Sequence, residues 1–120
     1  MASVAKTVLT TAQAFTGNGT TTAVSLGPKT DKFLLFLNVT AIGAGTSLVV
    51  TLQHSPNGSD FFAVVPSSAF TATGVQSLSQ QSFTVAGSGL YPWVRLSLVF
   101  TGGTTTATIT GELYYDSTKG

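Results

Sequence analysis

From Trp93 to Glu112 the chain alternates. Val94, Leu96, Leu98 and Phe100 are apolar, with Arg95, Ser97 and Val99 between them; after Thr101-Gly-Gly-Thr104, Ala107, Ile109 and Gly111 alternate with Thr106, Thr108, Thr110 and Glu112. A period of two places every second side chain on the same face of an extended strand, and no helix can gather such a pattern onto one side. These twenty residues must therefore be β structure with one apolar face. The Gly102-Gly103 pair reads as a two-residue hairpin loop, because both central positions of such turns ask for positive φ. That turn would set Phe100 opposite Thr105, Leu98 opposite Ala107, Leu96 opposite Ile109 and Val94 opposite Gly111. On the other face Val99 would meet Thr106, Ser97 would meet Thr108, Arg95 would meet Thr110 and Trp93 would meet Glu112, leaving Arg95 and Glu112 as diagonal neighbours.

The rest of the chain repeats the theme. Phe33-Leu-Leu-Phe-Leu-Asn-Val-Thr-Ala41 is apolar on both faces at its start, which suits a central strand covered on both sides or one whose second face is buried by a partner. Gly43-Ala-Gly45 makes a turn, and Leu48 to His54 returns. Ser55-Pro-Asn-Gly-Ser-Asp60 is the strongest turn signal, with Pro56 presetting φ and Asn57 and Gly58 tolerating left-handed geometry, before a strand from Phe61 to Val65. Thr7–Thr16 and Thr20–Leu26 predict a hairpin around Gly17-Asn-Gly19. Val75–Val85, rich in Gln and Ser, predicts one or two strands at an edge or on an irregular path. The expectation is an all-β, antiparallel two-sheet sandwich of about eight strands, jelly-roll or immunoglobulin-like, formed by one domain over residues 1–120 with residues 1–6 as a flexible N-terminal arm.

Composition narrows the function. Only 8% of the 120 residues are charged against 42% hydrophobic, so Ser, Thr, Gly, Asn and Gln carry most of the polarity. Globular domains usually hold about 25% charged residues. A surface so poor in charge costs little to desolvate, which fits a protein covered by partners in its working state. The basic residues Lys6, Lys29, Lys32, Arg95 and Lys119 form no patch. Nucleic-acid binding draws on neutralised phosphates, so no nucleic-acid partner is expected. The N-terminus lacks the pattern of a signal peptide, and the longest apolar runs, Phe33–Leu37 and Phe61–Val65, are too short to span a bilayer, so no membrane role is expected either.

Chemistry is sparse. There is no cysteine, and His54 is the only histidine, with Asp60 near it across the turn. A general base needs an orienting partner and a zinc site needs three or four ligands, so His54 reads as a strand-end residue beside a polar loop. The acids Asp31, Asp60, Glu112 and Asp116 show no spacing of a carboxylate pair, and the glycine-rich segments lack the strand–loop–helix context of a phosphate site. No catalytic residue, metal or cofactor is expected, and the chain is expected not to be an enzyme. What remains is aromatic. Tyr91, Trp93, Tyr114 and Glu112 would share one face near the open end of the last hairpin, as sheet packing or as an exposed platform for a protein or a sugar ring. Phe61 and Phe62 are adjacent and point to opposite faces, so one of them meets the second sheet or a partner. These six residues are the candidate interface.

The segments Leu52-Gln-His-Ser-Pro-Asn-Gly-Ser-Asp-Phe61 and Leu90-Tyr-Pro-Trp-Val-Arg-Leu-Ser-Leu-Val-Phe100, followed by Thr101-Gly-Gly103 and a Thr-rich final strand, resemble small β-sandwich virion proteins of tailed bacteriophages. The matching positions are Gln53, Ser55, Asn57, Gly58 and Phe61, then Tyr91, Val94 and Arg95, within a span from Phe33 to Tyr115; Pro92-Trp93 departs from the commoner spacing. The resemblance implies a structural role in a virus particle, as a capsid decoration protein bound to the major capsid protein or another virion protein. It also implies a homo-oligomer, trimers being favoured in such proteins, and a place in the virion after assembly in the host cytoplasm. The alternative is a carbohydrate-binding or adhesin-type β-sandwich using Tyr91, Trp93 and Tyr114.

Overall fold

The computed structural model describes residues 4–26, 33–79 and 91–116. Nine strands run in order: β1 (Val4–Phe15), β2 (Gly19–Thr20), β3 (Val24–Ser25), β4 (Phe33–Ile42), β5 (Ser47–Ser55), β6 (Phe62–Pro66), β7 (Gly74–Ser79), β8 (Trp93–Thr101) and β9 (Ala107–Asp116). Two antiparallel sheets form, sheet A in the order β1-β9-β4-β7 and sheet B in the order β2-β8-β5-β6, with β3 also on β8. Val4, Ala5 and Lys6, placed in the expected arm, pair with Asp116, Tyr115 and Tyr114 in β1.

The wiring is that of a jelly roll. Taking β2 and β3 as two pieces of one broken strand, the first half of the chain pairs with the second half in nested fashion: β1 with β9, β2 and β3 with β8, β4 with β7, and β5 with β6. This long ribbon is rolled up, and the pairings β4–β9 and β5–β8 close each sheet across the roll. Of the two sandwich types expected, the nested pairing selects this one.

The core lies between the sheets. Leu35, Leu37, Val39, Ile109 and Leu113 of sheet A face Leu48, Val50, Leu52, Val94, Leu96 and Leu98 of sheet B, all almost completely buried. The two sheets approach closely at Gly111 on β9. A Cβ there would lie 2.7 Å from Leu96 Cδ1, so the Leu96 side chain from the opposite sheet occupies the volume a larger residue would take.

Two sequence expectations fail in the same way. Gly102-Gly103 is not the loop of a hairpin: β8 lies in sheet B and β9 in sheet A. Both glycines do take positive φ, 72° and 50°, but they turn a corner between sheets. The same holds at Gly17-Asn-Gly19, where β1 belongs to sheet A and β2 and β3 to sheet B. The faces, in contrast, are as expected: Val94, Leu96, Leu98, Phe100, Ala107, Ile109 and Gly111 all point inward. They reach the same core from opposite sides instead of side by side. Arg95 and Glu112 consequently sit on different sheets and are not neighbours.

The corners at Gly43–Thr46 and Gly102–Thr106 are laid against each other. Gly43 N–H donates to Thr106 O (2.7 Å), Thr104 N–H to Ala44 O (2.9 Å), and the Thr46 hydroxyl to Thr101 O (3.3 Å). The backbones touch so closely that a Cβ on Gly43 would fall 1.9 Å from Thr104 O, and one on Gly103 2.2 Å from Gly45 C. The broken β2–β3 edge is tied on by side chains as well as backbone. Leu96 N–H donates to the Thr21 hydroxyl (2.9 Å) and Phe100 N–H to Asn18 Oδ1 (2.7 Å).

Two stability outcomes follow. Gly111→Ala is expected to lower unfolding free energy by about 1–3 kcal/mol through overpacking. Adding Leu96→Ala should cost less than the sum of the two single changes, because the same space is vacated; a denaturant double-mutant cycle reads this. Gly43→Ala should be more damaging than Gly45→Ala, since its Cβ meets backbone that cannot move without parting the corners; thermal unfolding of the two variants checks the order.

Candidate functional site

The six residues of the expected interface are divided between two surfaces. Glu112 and Tyr114 lie on the outer face of sheet A. Phe61 and Trp93 flank the outer side of sheet B, with Tyr91 and Phe62 close to its β5–β6 end. A single platform of Tyr91, Trp93, Tyr114 and Glu112 is therefore not assembled, because the strands that carry it pair in different sheets.

On sheet B the β5–β6 hairpin is formed as expected, with Leu52 opposite Val65 and His54 opposite Phe62. Its loop is held by two side chains. The buried Ser55 hydroxyl accepts from Asn57 N–H (3.2 Å) and Gly58 N–H (2.9 Å). Asn57 Oδ1 accepts from Ser59 N–H (2.8 Å) and Asp60 N–H (2.9 Å), while Asn57 Nδ2 donates to the Asp60 carboxylate (2.8 Å). Gly58 takes the left-handed conformation, φ 81°. Asn57, expected to share it, keeps negative φ and acts through its side chain, the Asx-turn role of this residue type. The Trp93 indole lies on this loop, 3.3 Å from where a Gly58 Cβ would be.

His54 is buried and accepts from Tyr91 N–H at Nδ1 (3.1 Å), with the Tyr91 ring tilted over it at 4.6 Å between centroids. That bond makes Nδ1 an acceptor and leaves the proton of a neutral ring on Nε2. The Asp60 carboxylate accepts from Asn57 Nδ2 within the loop. Next along the sheet, Arg95 Nε donates to Gln53 Oε1 (2.8 Å), and its guanidinium lies 3.8 Å over the Phe61 ring. This cation–π contact takes up Phe61, while Phe62 is 53% exposed. Neither phenylalanine joins the central core, so of the two outcomes expected for the pair, contact with the second sheet is not the one seen.

The outer face of sheet A is different in kind. Residues on its rows follow from register: Lys6, Tyr114 and Leu34 in one, Val8, Glu112, Phe36 and Ser77 in the next, then Thr110, Asn38 and Val75. Val8, Leu34 and Val75 are exposed, and Phe36 and Tyr114 are partly so. The only ion pair among the described residues, Lys6 with Glu112 at 3.8 Å, sits on this face, and the Tyr114 hydroxyl also donates to Glu112 (3.3 Å). Strand β4 is thus central, with one face buried in the core and the other carrying exposed Leu34 and partly exposed Phe36, so within the chain it is not covered on both sides. Sequence reasoning missed Val8, Leu34, Phe36 and Val75 as surface residues; the double-sided apolar start of β4 was the available signal. Among the described residues no three His, Asp or Glu side chains come together as a metal site. Among the described residues no helix is long and apolar enough to cross a membrane.

No protein-family model matches the chain, and no curated protein matches it in sequence. Its fold is similar to that of the SPBc2 prophage-derived protein YomS, with TM-score 0.53 and 15% identity over 95% of each chain. It is also similar to part of dimeric latent PorU from Porphyromonas gingivalis, with TM-score 0.53 and 11% identity over 96% of this chain. The chain spans only 13% of PorU. Both likenesses bear on the fold.

The loop analysis has a direct check. Asn57→Ala removes the acceptor for two backbone N–H groups and is expected to cost about 1–2 kcal/mol. Gly58→Ala, which forces Cβ into a left-handed residue against Trp93, should cost about as much and change Trp93 fluorescence, whereas Asn57→Asp keeps the acceptor oxygens and should be milder.

Proposed function

We propose that this protein is a non-enzymatic structural component of a bacteriophage particle. In this reading it is a decoration protein, assembled in the host cytoplasm, that docks on the major capsid protein or another virion protein through the outer face of sheet A. The observation that carries the reading is that face: a sheet centre that exposes Leu34 and part of Phe36 beside Val8 and Val75, with one Lys–Glu pair as its charge. Exposed apolar surface of this kind marks a protein contact, and partly buried aromatic residues near its middle are typical anchors. The full-length likeness to a prophage-derived protein supports the phage context. The resemblance of the Leu52–Phe61 hairpin and the Tyr91–Phe100 segment to small virion proteins supports it independently, and so does the low charge of the chain. The division of Tyr91 and Trp93 from Tyr114 removes the platform on which a sugar-binding reading rested.

Co-sedimentation with assembled capsids of the phage that encodes the chain tests this. The wild-type protein should pellet with capsids, and Leu34→Glu should weaken that binding at least tenfold with unchanged thermal stability, because a charge would be buried without a partner. Val99→Glu, on the outer face of sheet B, should bind normally. A wild-type protein that stays in the supernatant overturns the proposal.

A further inference from the structure

A sheet edge exposes unpaired N–H and C=O groups, and proteins that must stay monomeric blunt such edges with bulges, prolines, charges or short strands. Three of the four edges here are blunted. Strand β1 carries register shifts at Val8/Thr10 and Thr10/Gln13, with Ala12 at φ 43°, and also Lys6. Strand β6 has a register shift at Leu52/Gln53 and ends in Pro66. Strands β2 and β3 have two residues each. Strand β7, the other edge of sheet A, has none of these devices. Gly74-Val-Gln-Ser-Leu-Ser79 contains no charge and no proline, and its register on β4 runs from Leu34–Ser79 to Val39–Gly74 without a shift. No described strand lies beyond it.

We propose that β7 is a self-pairing edge: two copies of this chain join β7 to β7, antiparallel, about a two-fold axis perpendicular to sheet A. The occupant follows by elimination. Among the described edges only β7 is open and regular, so strand addition between two copies uses β7 on both sides, and such a contact is isologous and closes as a dimer. The uncharged strand meets its copy without repulsion. Antiparallel partners must share a face, so the axis passes through a residue and not between two. An axis at Ser77 sets Val75 opposite Ser79 and Gln76 opposite Leu78. The two four-stranded sheets then become one continuous sheet, which doubles the outer face. The inference does not depend on the capsid reading, since it concerns the edge of sheet A and not what covers its face.

The chain has no cysteine, so any disulfide formed by a single introduced cysteine is between copies. Directly opposed residues in antiparallel strands have Cα atoms about 4.5–5.5 Å apart, within the roughly 4.4–6.8 Å that a disulfide spans. The expected result is a dimer by light scattering for the wild type and rapid air oxidation of Ser77→Cys to a covalent dimer. Val99→Cys, also exposed but on sheet B, should stay reduced. Ser77→Lys should raise the dimer dissociation constant roughly fivefold or more by setting like charges face to face, with monomer unfolding unchanged. A wild-type monomer at all concentrations, equal cross-linking at positions 77 and 99, or a dimer indifferent to Ser77→Lys overturns the proposal. Light scattering of the Leu34→Glu variant, whose change lies on β4 and not on β7, separates this outcome from the fate of the docking face: it should still form the dimer.

Discussion

The structure turns on two corners held backbone to backbone. At Gly43–Thr46 and at Gly102–Thr106 the chain leaves one sheet and enters the other, and the two crossings are joined by Gly43–Thr106 and Thr104–Ala44 hydrogen bonds. Contact at this distance leaves no room for a Cβ at Gly43 or Gly103. Because both crossings happen at the same place, β4 emerges beside β9 in one sheet while β5 emerges beside β8 in the other. The nested ribbon is thereby closed into a sandwich, and everything about which residues share a surface follows.

Packing between the sheets then depends on complementarity at particular points. Leu96 from sheet B enters the gap that Gly111 leaves in sheet A. Fully buried leucines and valines fill the space on both sides of that contact. A core of this kind tolerates few changes of volume, because interiors are packed about as tightly as crystals of small organic molecules. It can be built from side chains that alternate strictly, which is why so uniform a Thr, Val and Leu composition suffices. Polar groups follow the same economy: Thr21 and Asn18 lend side-chain oxygens to β8 where the broken β2–β3 edge cannot supply carbonyls.

The outward faces differ because their strands do. Sheet B presents Thr, Ser, Gln and Arg together with exposed Val99, and two of its aromatic side chains are taken up locally, Phe61 under Arg95 and Trp93 against the β5–β6 loop, while Phe62 and Tyr91 stay exposed at its end. Sheet A presents Val8, Leu34 and Val75 with little to cover them. A chain with so few charges leaves such a face without the self-repulsion that keeps most surfaces apart.

The amino-acid sequence by itself determined the β class, the strand faces and the local turns. Alternation at Val94–Phe100 and Ala107–Gly111 dictates which side chains are buried whatever the strands pair with, since it reflects only the geometry of an extended chain. The Ser55–Asp60 loop was legible because its bonds are local: Ser55, Asn57 and Gly58 reach only their neighbours. Pairing was not legible. A glycine pair that permits positive φ serves a hairpin and a corner equally well, and the choice at Gly102-Gly103 is made by Gly43 and Ala44, almost sixty residues earlier in the chain. For the same reason the candidate residues Tyr91, Trp93, Glu112 and Tyr114, one cluster on a hairpin, became two surfaces on a sandwich. Tertiary structure decided which faces the aromatic residues share and which strands stand at the edges of the described sheets, because both depend on contacts between segments far apart in sequence.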